Sequence, residues 1–577
     1  MTEHSSQGAA LTHNVNSTAY KRDAEQAWNR YLELVSALGA GLNEIHAHHY
    51  SIRYWEILLH RFLYPFVCSI SRSVNEKNKG YNGRPVSDPA VSQWSANFAL
   101  TRNTIVPTGV SFGNNQAIHD YLFSIATMSP ADFYAIYPIR SGSLQSETSI
   151  FAGKGLKPSA RGPTGLGQYR PRLSKIRFFI KQKFLRLLLS QKVVFLGSNY
   201  LKGLDRVKIT RSFWNFFYVD LASDVPKTIR DSEQRLRLFG ILKNRGLDPR
   251  IVGAICDLLP VTVLELYNSL FNEVWSPRKS TVIITSENAT SSFRNDLVLA
   301  KSHLAGAKLA LVCHGGAFGM WDTDLQDKVY RRIYDYYLGL PFDAPPAGIQ
   351  LLPLRYLRTT KRKANPSLSR PLRVGVFSTR NHENLYSYDS IFPRVPNPEY
   401  ARQVEELCVT LSAFCTVRVK DFHGEFRKSE NGVICDSFLK HKVSVVDDCT
   451  LEEFLGDIDL AVVTYNATVL QELILLEFPF FAYWDTRYTR CNAIGRTFID
   501  RMQENQIFFD STHSLARAVE KVAKSERNWA NWIGSRWRCA RMAEELYGDS
   551  AAESVALRRA RWSLFMHDFI EEKNELI

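Results

Sequence analysis

No two of the nine cysteines stand in a C-x-x-C pair, and no run of about eighteen apolar residues occurs. The scatter of Cys68, Cys256, Cys313, Cys408, Cys415, Cys435, Cys449, Cys491 and Cys539 excludes a structural zinc ribbon and a disulfide framework. It fits reduced thiols, and so a cytoplasmic compartment is expected. The polar opening stretch has neither the basic start nor the apolar core of a signal peptide, so neither secretion nor a membrane span is expected. No Gly-Lys-Ser/Thr completes a Walker loop, and no G-x-G-x-x-G opens the C-terminal sheet, which argues against a dinucleotide-dependent oxidoreductase. What remains is an ordinary globular composition, 45% apolar and 23% charged over 577 residues. That length predicts about three or four domain-sized units.

Acidic residues are missing altogether between Glu147 and Asp205, where twelve basic ones fall: Lys154, Lys157, Arg161, Arg170, Arg172, Lys175, Arg177, Lys181, Lys183, Arg186, Lys192 and Lys202. They account for most of the net charge of +14, the difference between 72 Lys and Arg and 58 Asp and Glu. The segment 153–167 reads as a Gly- and Pro-rich loop. Over 175–192, Ile176, Ile180, Phe184, Leu187 and Leu188 share one helical face. Such a helix either lies on anionic headgroups or packs its stripe on the protein body. A nucleic-acid partner is not expected, because the charge is one block without a recognised motif or a row of stacking aromatics.

The spacing predicts a mobile arm over 1–23, then an N-terminal unit over 24–354 with helical additions and the basic loop and helix of 153–192. Within it 24–70 is helical, and strands are expected at 192–196, 281–285 and 308–313. A polar, basic, Pro-bearing linker follows at 355–371. Beyond it, strands at 372–377, 416–420, 443–446, 460–463 and 480–483 alternate with helices at 398–413, 450–455, 468–476 and 515–524. That alternation predicts a parallel, doubly wound sheet over 372–548, with a last helix at 549–577.

Ligands of such sheets sit beyond the carboxyl ends of the strands, so the residues just after each strand are the candidates. Thr464, Tyr465, Asn466 and Thr468 form a polar turn into a helix, and Glu472 follows one turn later, placed to accept hydrogen bonds from a sugar diol. Ser378, Thr379 and Arg380 follow the first strand and suit a diphosphate. Asp421 follows the second, and Trp484 and Asp485 follow the last, with Trp484 placed to stack on a base or sugar. In the N-terminal half, His314 stands directly after a buried strand and before Gly315 and Gly316, whose backbone admits close approach of a ligand. An unperturbed imidazole exchanges its proton near neutrality, so a histidine at this position suits a base, or a donor to phosphate. Asn43 and His46, then Ser51, Arg53 and Trp55, form a polar and aromatic cluster at helical spacing. The two D-x-D tripeptides, Asp322 to Asp324 and Asp457 to Asp459, are of a kind common by chance, and no metal is expected.

These blocks carry a resemblance. LNEIHAHHYSIRYWEILL (42–59), HGGAFG (314–319), TYNATVLQELILLEFPFFAYWD (464–485) and 529–547 resemble a leptospiral-type bacterial family of surface-carbohydrate transferases, and more broadly GT-B glycosyltransferases. The chain departs from that family's pattern at Cys313 and Phe318, and at His60-Arg61-Phe62-Leu63. The resemblance implies an α/β fold of two Rossmann-like domains facing a cleft. The donor nucleotide-sugar would lie on the C-terminal domain and a glycan or lipid-linked acceptor on the N-terminal one, with Asn43, His46, Ser51, Arg53 and Trp55 on the acceptor side. His314 and Glu472 are the catalytic residues expected from their positions after the strands, and the resemblance implies no cofactor or metal. A teichoic-acid-type polyol-phosphate transferase shares the two-domain plan and stays open as an alternative.

Overall fold

The computed structural model of the chain describes residues 17–78, 193–196, 216–219, 231–274, 282–286, 293–312, 325–338, 371–378, 397–420, 433–446, 449–466, 468–476, 478–484 and 491–524. The segments 153–192, 355–370 and 549–577, for which a basic loop and helix, a linker and a last helix are expected, lie outside these residues.

Two long helices begin the described chain, α1 (Ser17–His46) and α2 (Ile52–Asn78). The first starts inside the stretch expected to be a mobile arm. Its buried phase, Ala24, Ala27, Tyr31, Leu34, Leu38 and Leu42, recurs every third or fourth residue, the period that packs a helix on one side. The polar residues before Ala24 carry no such phase, which is why sequence alone starts the helix too late. A turn at Ala47, with a positive φ of 56°, separates α1 from α2.

The first sheet is parallel, with strands β1 (Val193–Leu196), β2 (Phe216–Val219), β3 (Val282–Ser286), β4 (Lys308–Val312) and β5 (Tyr336–Leu338) in the order β2-β1-β3-β4-β5. Between them run α3 (Ser232–Asn244), α4 (Pro249–Leu258), α5 (Tyr267–Glu273), α6 (Phe293–Leu304) and α7 (Leu325–Ile333). Arginines fasten α2 to this unit. Arg53 donates to Ile333 O (2.7 Å) and Asp335 Oδ1 (3.1 Å), and Arg332 of α7 closes on Glu56 at 2.8 Å. Further along, Arg61 stands 3.4 Å from the fully buried Asp296 of α6. Asp335 immediately precedes β5, whereas Asp296 lies in the first turn of the helix after β3. The helix α2 therefore runs from the amino edge of the sheet towards its carboxyl edge.

The second sheet is also wholly parallel: β6 (Arg373–Phe377), β7 (Thr416–Lys420), β8 (Ser444–Val446), β9 (Leu460–Val463), β10 (Phe480–Tyr483) and β11 (Phe508–Phe509). Their order is β11-β10-β9-β6-β7-β8. The connecting helices are α8 (Asn397–Ser412), α9 (Val433–Lys440), α10 (Leu451–Gly456), α11 (Thr468–Leu475), α12 (Ala493–Glu504) and α13 (Thr512–Ala523). Alternation sorts each strand between two cores. Phe377, Ala461 and Val463 pack with α10, α11 and α12, while Val374, Val376, Leu460 and Val462 pack with α8, α9 and α13. Short polar signals start these helices. Thr450 and Glu453 form a reciprocal capping box for α10, and Asn492 and Ser511 cap α12 and α13. The β2, β5 and β11 strands and the α9 and α12 helices were not legible from periodicity, being short or weakly patterned.

Candidate functional site

Strand order in the second sheet reverses between β6 and β9, the position at which open α/β sheets bind ligands beyond the strand ends. Ser378 and Thr464 follow those two strands directly and are 2% and 1% exposed. Thr464 Oγ1 donates to the carbonyl of Phe377, the last residue of β6, at 2.9 Å, and Thr464 N donates to the same oxygen at 3.3 Å. Ser378 donates from its hydroxyl (3.2 Å) and its amide (3.3 Å) to Lys420 O, at the end of β7. The crevice thus rests on three strand ends cross-linked by hydroxyls.

Helix α8 closes the same edge. Tyr400 Oη lies 2.6 Å from Thr464 Oγ1, and Tyr483 donates to Gln403 Oε1 at 3.2 Å. Tyr465 and Asn466 are buried beside them, and Glu472, half-buried, lies one turn past Thr468 in α11. Burial first, then the charges of Tyr400 and Glu472, hold the Tyr465 phenol well above its usual range. The structure therefore gathers Ser378, Thr464, Tyr465, Asn466 and Glu472 around one turn. The hydroxyls of Ser378 and Thr464 serve strand carbonyls, so they frame the crevice.

One candidate is corrected. Trp484 cannot stack on a base or sugar, since it is 1% exposed and its ring packs edge-on against Phe508 at 4.6 Å. A large apolar ring at the end of a central strand gains more from that core than from solvent. Thr379, Arg380, Asp421, Asp485, His314, Gly315 and Gly316 lie outside the described residues.

The N-terminal cluster has other work. Asn43 accepts from Tyr50 N (3.0 Å) and Trp55 Nε1 (2.8 Å) and donates to Tyr50 O (2.9 Å), pinning the turn between α1 and α2. Ser51 Oγ accepts from Tyr54 N at 3.3 Å, an N-cap contact for α2. His46 donates from Nε2 to Val263 O (3.1 Å) against the Tyr267 ring, and burial pushes its pKa down to about 4. Trp55 is fully buried, and Arg53 is held at the amino edge of the first sheet. Asn43, His46, Ser51, Arg53 and Trp55 thus build a tertiary joint at the edge opposite to the strand ends, which removes the geometric reason for an acceptor role. Helical spacing cannot distinguish a joint from a site, because both place polar groups on one face.

The first sheet repeats the bridge of the second. Its order reverses between β1 and β3, where Thr285 Oγ1 donates to Leu196 O at 3.0 Å. Tyr400, Gln403 and Thr285 escaped sequence reading, since each partner lies 64 or more residues away. Among the described residues, no group of three or more His, Cys, Asp or Glu side chains is arranged to hold a metal ion. Nor is any helix among them long and apolar enough to cross a membrane.

The pattern of the LIC12162 family transferases matches residues 4–542. Comparison with curated proteins finds no match. Among solved structures, the chain is similar to Os79 from O. sativa in complex with UDP and deoxynivalenol-3-glucoside, at 13% identity and a TM-score of 0.33, over 64% of this chain and 99% of that one. It is also similar to a mutant of the Thermobaculum terrenum O-GlcNAc transferase, at 10% identity and a TM-score of 0.35, over 97% of this chain and 99% of that one.

Proposed function

The chain belongs to the LIC12162 family of transferases, and from that premise we propose that it moves a sugar from a nucleotide-sugar donor onto a glycan acceptor. The observation that carries this reading is the second sheet, with its strand-order reversal between β6 and β9 and a glutamate one turn into the helix that follows. The donor nucleotide lies across that reversal. Glu472 accepts hydrogen bonds from a sugar or ribose diol, and the amino end of α11, with Arg380, faces the diphosphate that departs. His314, two residues past β4 in the sequence, takes the proton of the attacking acceptor hydroxyl or donates to the leaving phosphate. No step requires a metal or a cofactor in this scheme.

The acceptor in this reading is a bacterial surface glycan, lipopolysaccharide or capsule, carried on lipid at the inner face of the cytoplasmic membrane. Support comes from the twelve basic residues of 154–202, which no acid interrupts. Each is worth about 1 kcal/mol near an anionic surface, within a Debye length of about 8 Å.

Calorimetry of the full chain with a panel of nucleotide-sugars, followed by mass spectrometry of products, tests the reading. Glu472→Ala should weaken the donor that binds by about 1.5–3 kcal/mol. Unchanged affinity in a folded Glu472→Ala protein would remove Glu472 from the site. Transfer of a polyol phosphate instead of a sugar would favour the teichoic-acid-type chemistry.

A further inference from the structure

The geometry points to Tyr400 as a positioning residue that sets the donor turn from outside it. This rests on the donor reading of the second sheet. Thr464 Oγ1 has one proton and two close partners, Phe377 O at 2.9 Å and Tyr400 Oη at 2.6 Å. A carbonyl can only accept, so the Thr464 proton goes to Phe377 O. Tyr400 must then donate to Thr464. The order Tyr400 to Thr464 to Phe377 is the one that satisfies both contacts, and each bond polarises the next.

That relay joins three elements at the strand-order reversal: α8 through Tyr400, the turn after β9 through Thr464, and the end of β6 through Phe377. Tyr400 is 4% exposed and Thr464 1%, so water does not replace a lost bond cheaply. One turn along α8, Gln403 receives the hydroxyl of Tyr483 at the end of β10, so the helix holds two adjacent strand ends through two tyrosine hydroxyls. The first sheet has the threonine-to-carbonyl bridge at its own reversal, between Thr285 and Leu196. In the second sheet a tyrosine hydroxyl, that of Tyr400, donates to the threonine of the bridge. Through it Tyr400 holds Thr464, the residue from which the chain leads towards α11 and Glu472. Tyr400 touches no reacting atom in this account; it acts through Thr464.

The test uses the full chain and a panel of nucleoside diphosphates in calorimetry, with thermal melting alongside. Tyr400→Phe keeps the ring and should weaken the nucleotide that binds roughly tenfold. Thr464→Val should weaken it similarly, and Thr464→Ser, which keeps the hydroxyl, should restore wild-type binding. In the double variant Tyr400→Phe, Thr464→Val the losses should fall short of additive, because one relay is broken twice. Wild-type affinity in a folded Tyr400→Phe protein overturns the positioning role, as do fully additive losses. Should Tyr400→Phe not fold, equal binding by Thr464→Val and Thr464→Ser overturns it instead. A wild-type chain that binds no nucleotide overturns the donor reading itself, and this inference with it.

Discussion

Gly375 of β6 faces Ile458 so closely that a Cβ on the glycine would stand 2.5 Å from Ile458 Cδ1 and 2.7 Å from Phe454 Cε1. Helix α10 and the turn after it lie on β6 without room for a methyl group.

Gly375→Ala should therefore destabilise the second sheet by about 1–3 kcal/mol through overpacking. Urea unfolding followed by tryptophan fluorescence reads this directly. A shift below about 0.5 kcal/mol, the range of ordinary surface substitutions, would mean that α10 slides away at little cost.

Arg332 holds Glu56, which is 1% exposed, at 2.8 and 3.1 Å. Arg332→Met leaves that carboxylate buried without its cation. The cost should be about 3 kcal/mol, the low end for a broken buried pair, because the Arg332 side chain is 40% exposed. Burial already pushes the Glu56 pKa up. A folded pKa above the unfolded one gives stability that is present in acid and lost as pH rises. The loss should accordingly be larger at pH 8 than at pH 5, and Glu56→Gln should recover part of it. A pH-independent loss would remove Glu56 from the explanation.

Acid should weaken the N-terminal unit. Burial depresses His60 to about 3, with Arg61 adding to the effect, and His46 to about 4. The unfolded chain binds these protons below about pH 6.5 while the fold refuses them, so stability is present above that pH and lost as pH falls. At pH 5 the loss is about 2 kcal/mol for each histidine. Asp296 works in the opposite sense: burial raises it to about 7 against the opposing charge of Arg61, so the fold gains stability as pH falls through 7. Two histidines outweigh one aspartate. Denaturant titrations at pH 7.5 and 5 should show a net loss that vanishes in His60→Gln and grows in Asp296→Asn. Identical profiles for all three proteins would rule out these groups as the cause.

His314→Ala should lower turnover about a hundredfold while leaving the melting temperature unchanged. Intact turnover with a lowered melting temperature would reassign His314 to a structural role.

Much of the fold is local and so was legible. Apolar runs of four or five residues bounded by turn chemistry located β3, β4, β6, β7, β9 and β10 to within a residue at each end. The alternation with helices required parallel pairing, because a crossover helix returns the chain to the same edge. The turn from Thr464 to Glu472 was visible for the same reason: hydroxyls, an amide and a carboxylate stand at fixed offsets from a buried strand.

Strand order was not legible. Val374 pairs with Val417 on one side and Leu460 on the other, and nothing in three similar apolar runs says which is central. That choice depends on which helices pack on which face, a sum over contacts far apart in sequence. The same holds for Trp484, whose position after a strand suggested a ligand platform until the core formed with Phe508 closed over it. It holds too for the cluster from Asn43 to Trp55, since only the attachment of α2 to Asp335 places it at the amino edge. The sequence by itself determined the periodic elements and the chemistry at their ends, because hydrogen bonding and side-chain alternation act over a few residues. Only the tertiary structure decided which strand ends meet, and so brought Tyr400 to Thr464, because pairing across 64 residues leaves no local mark.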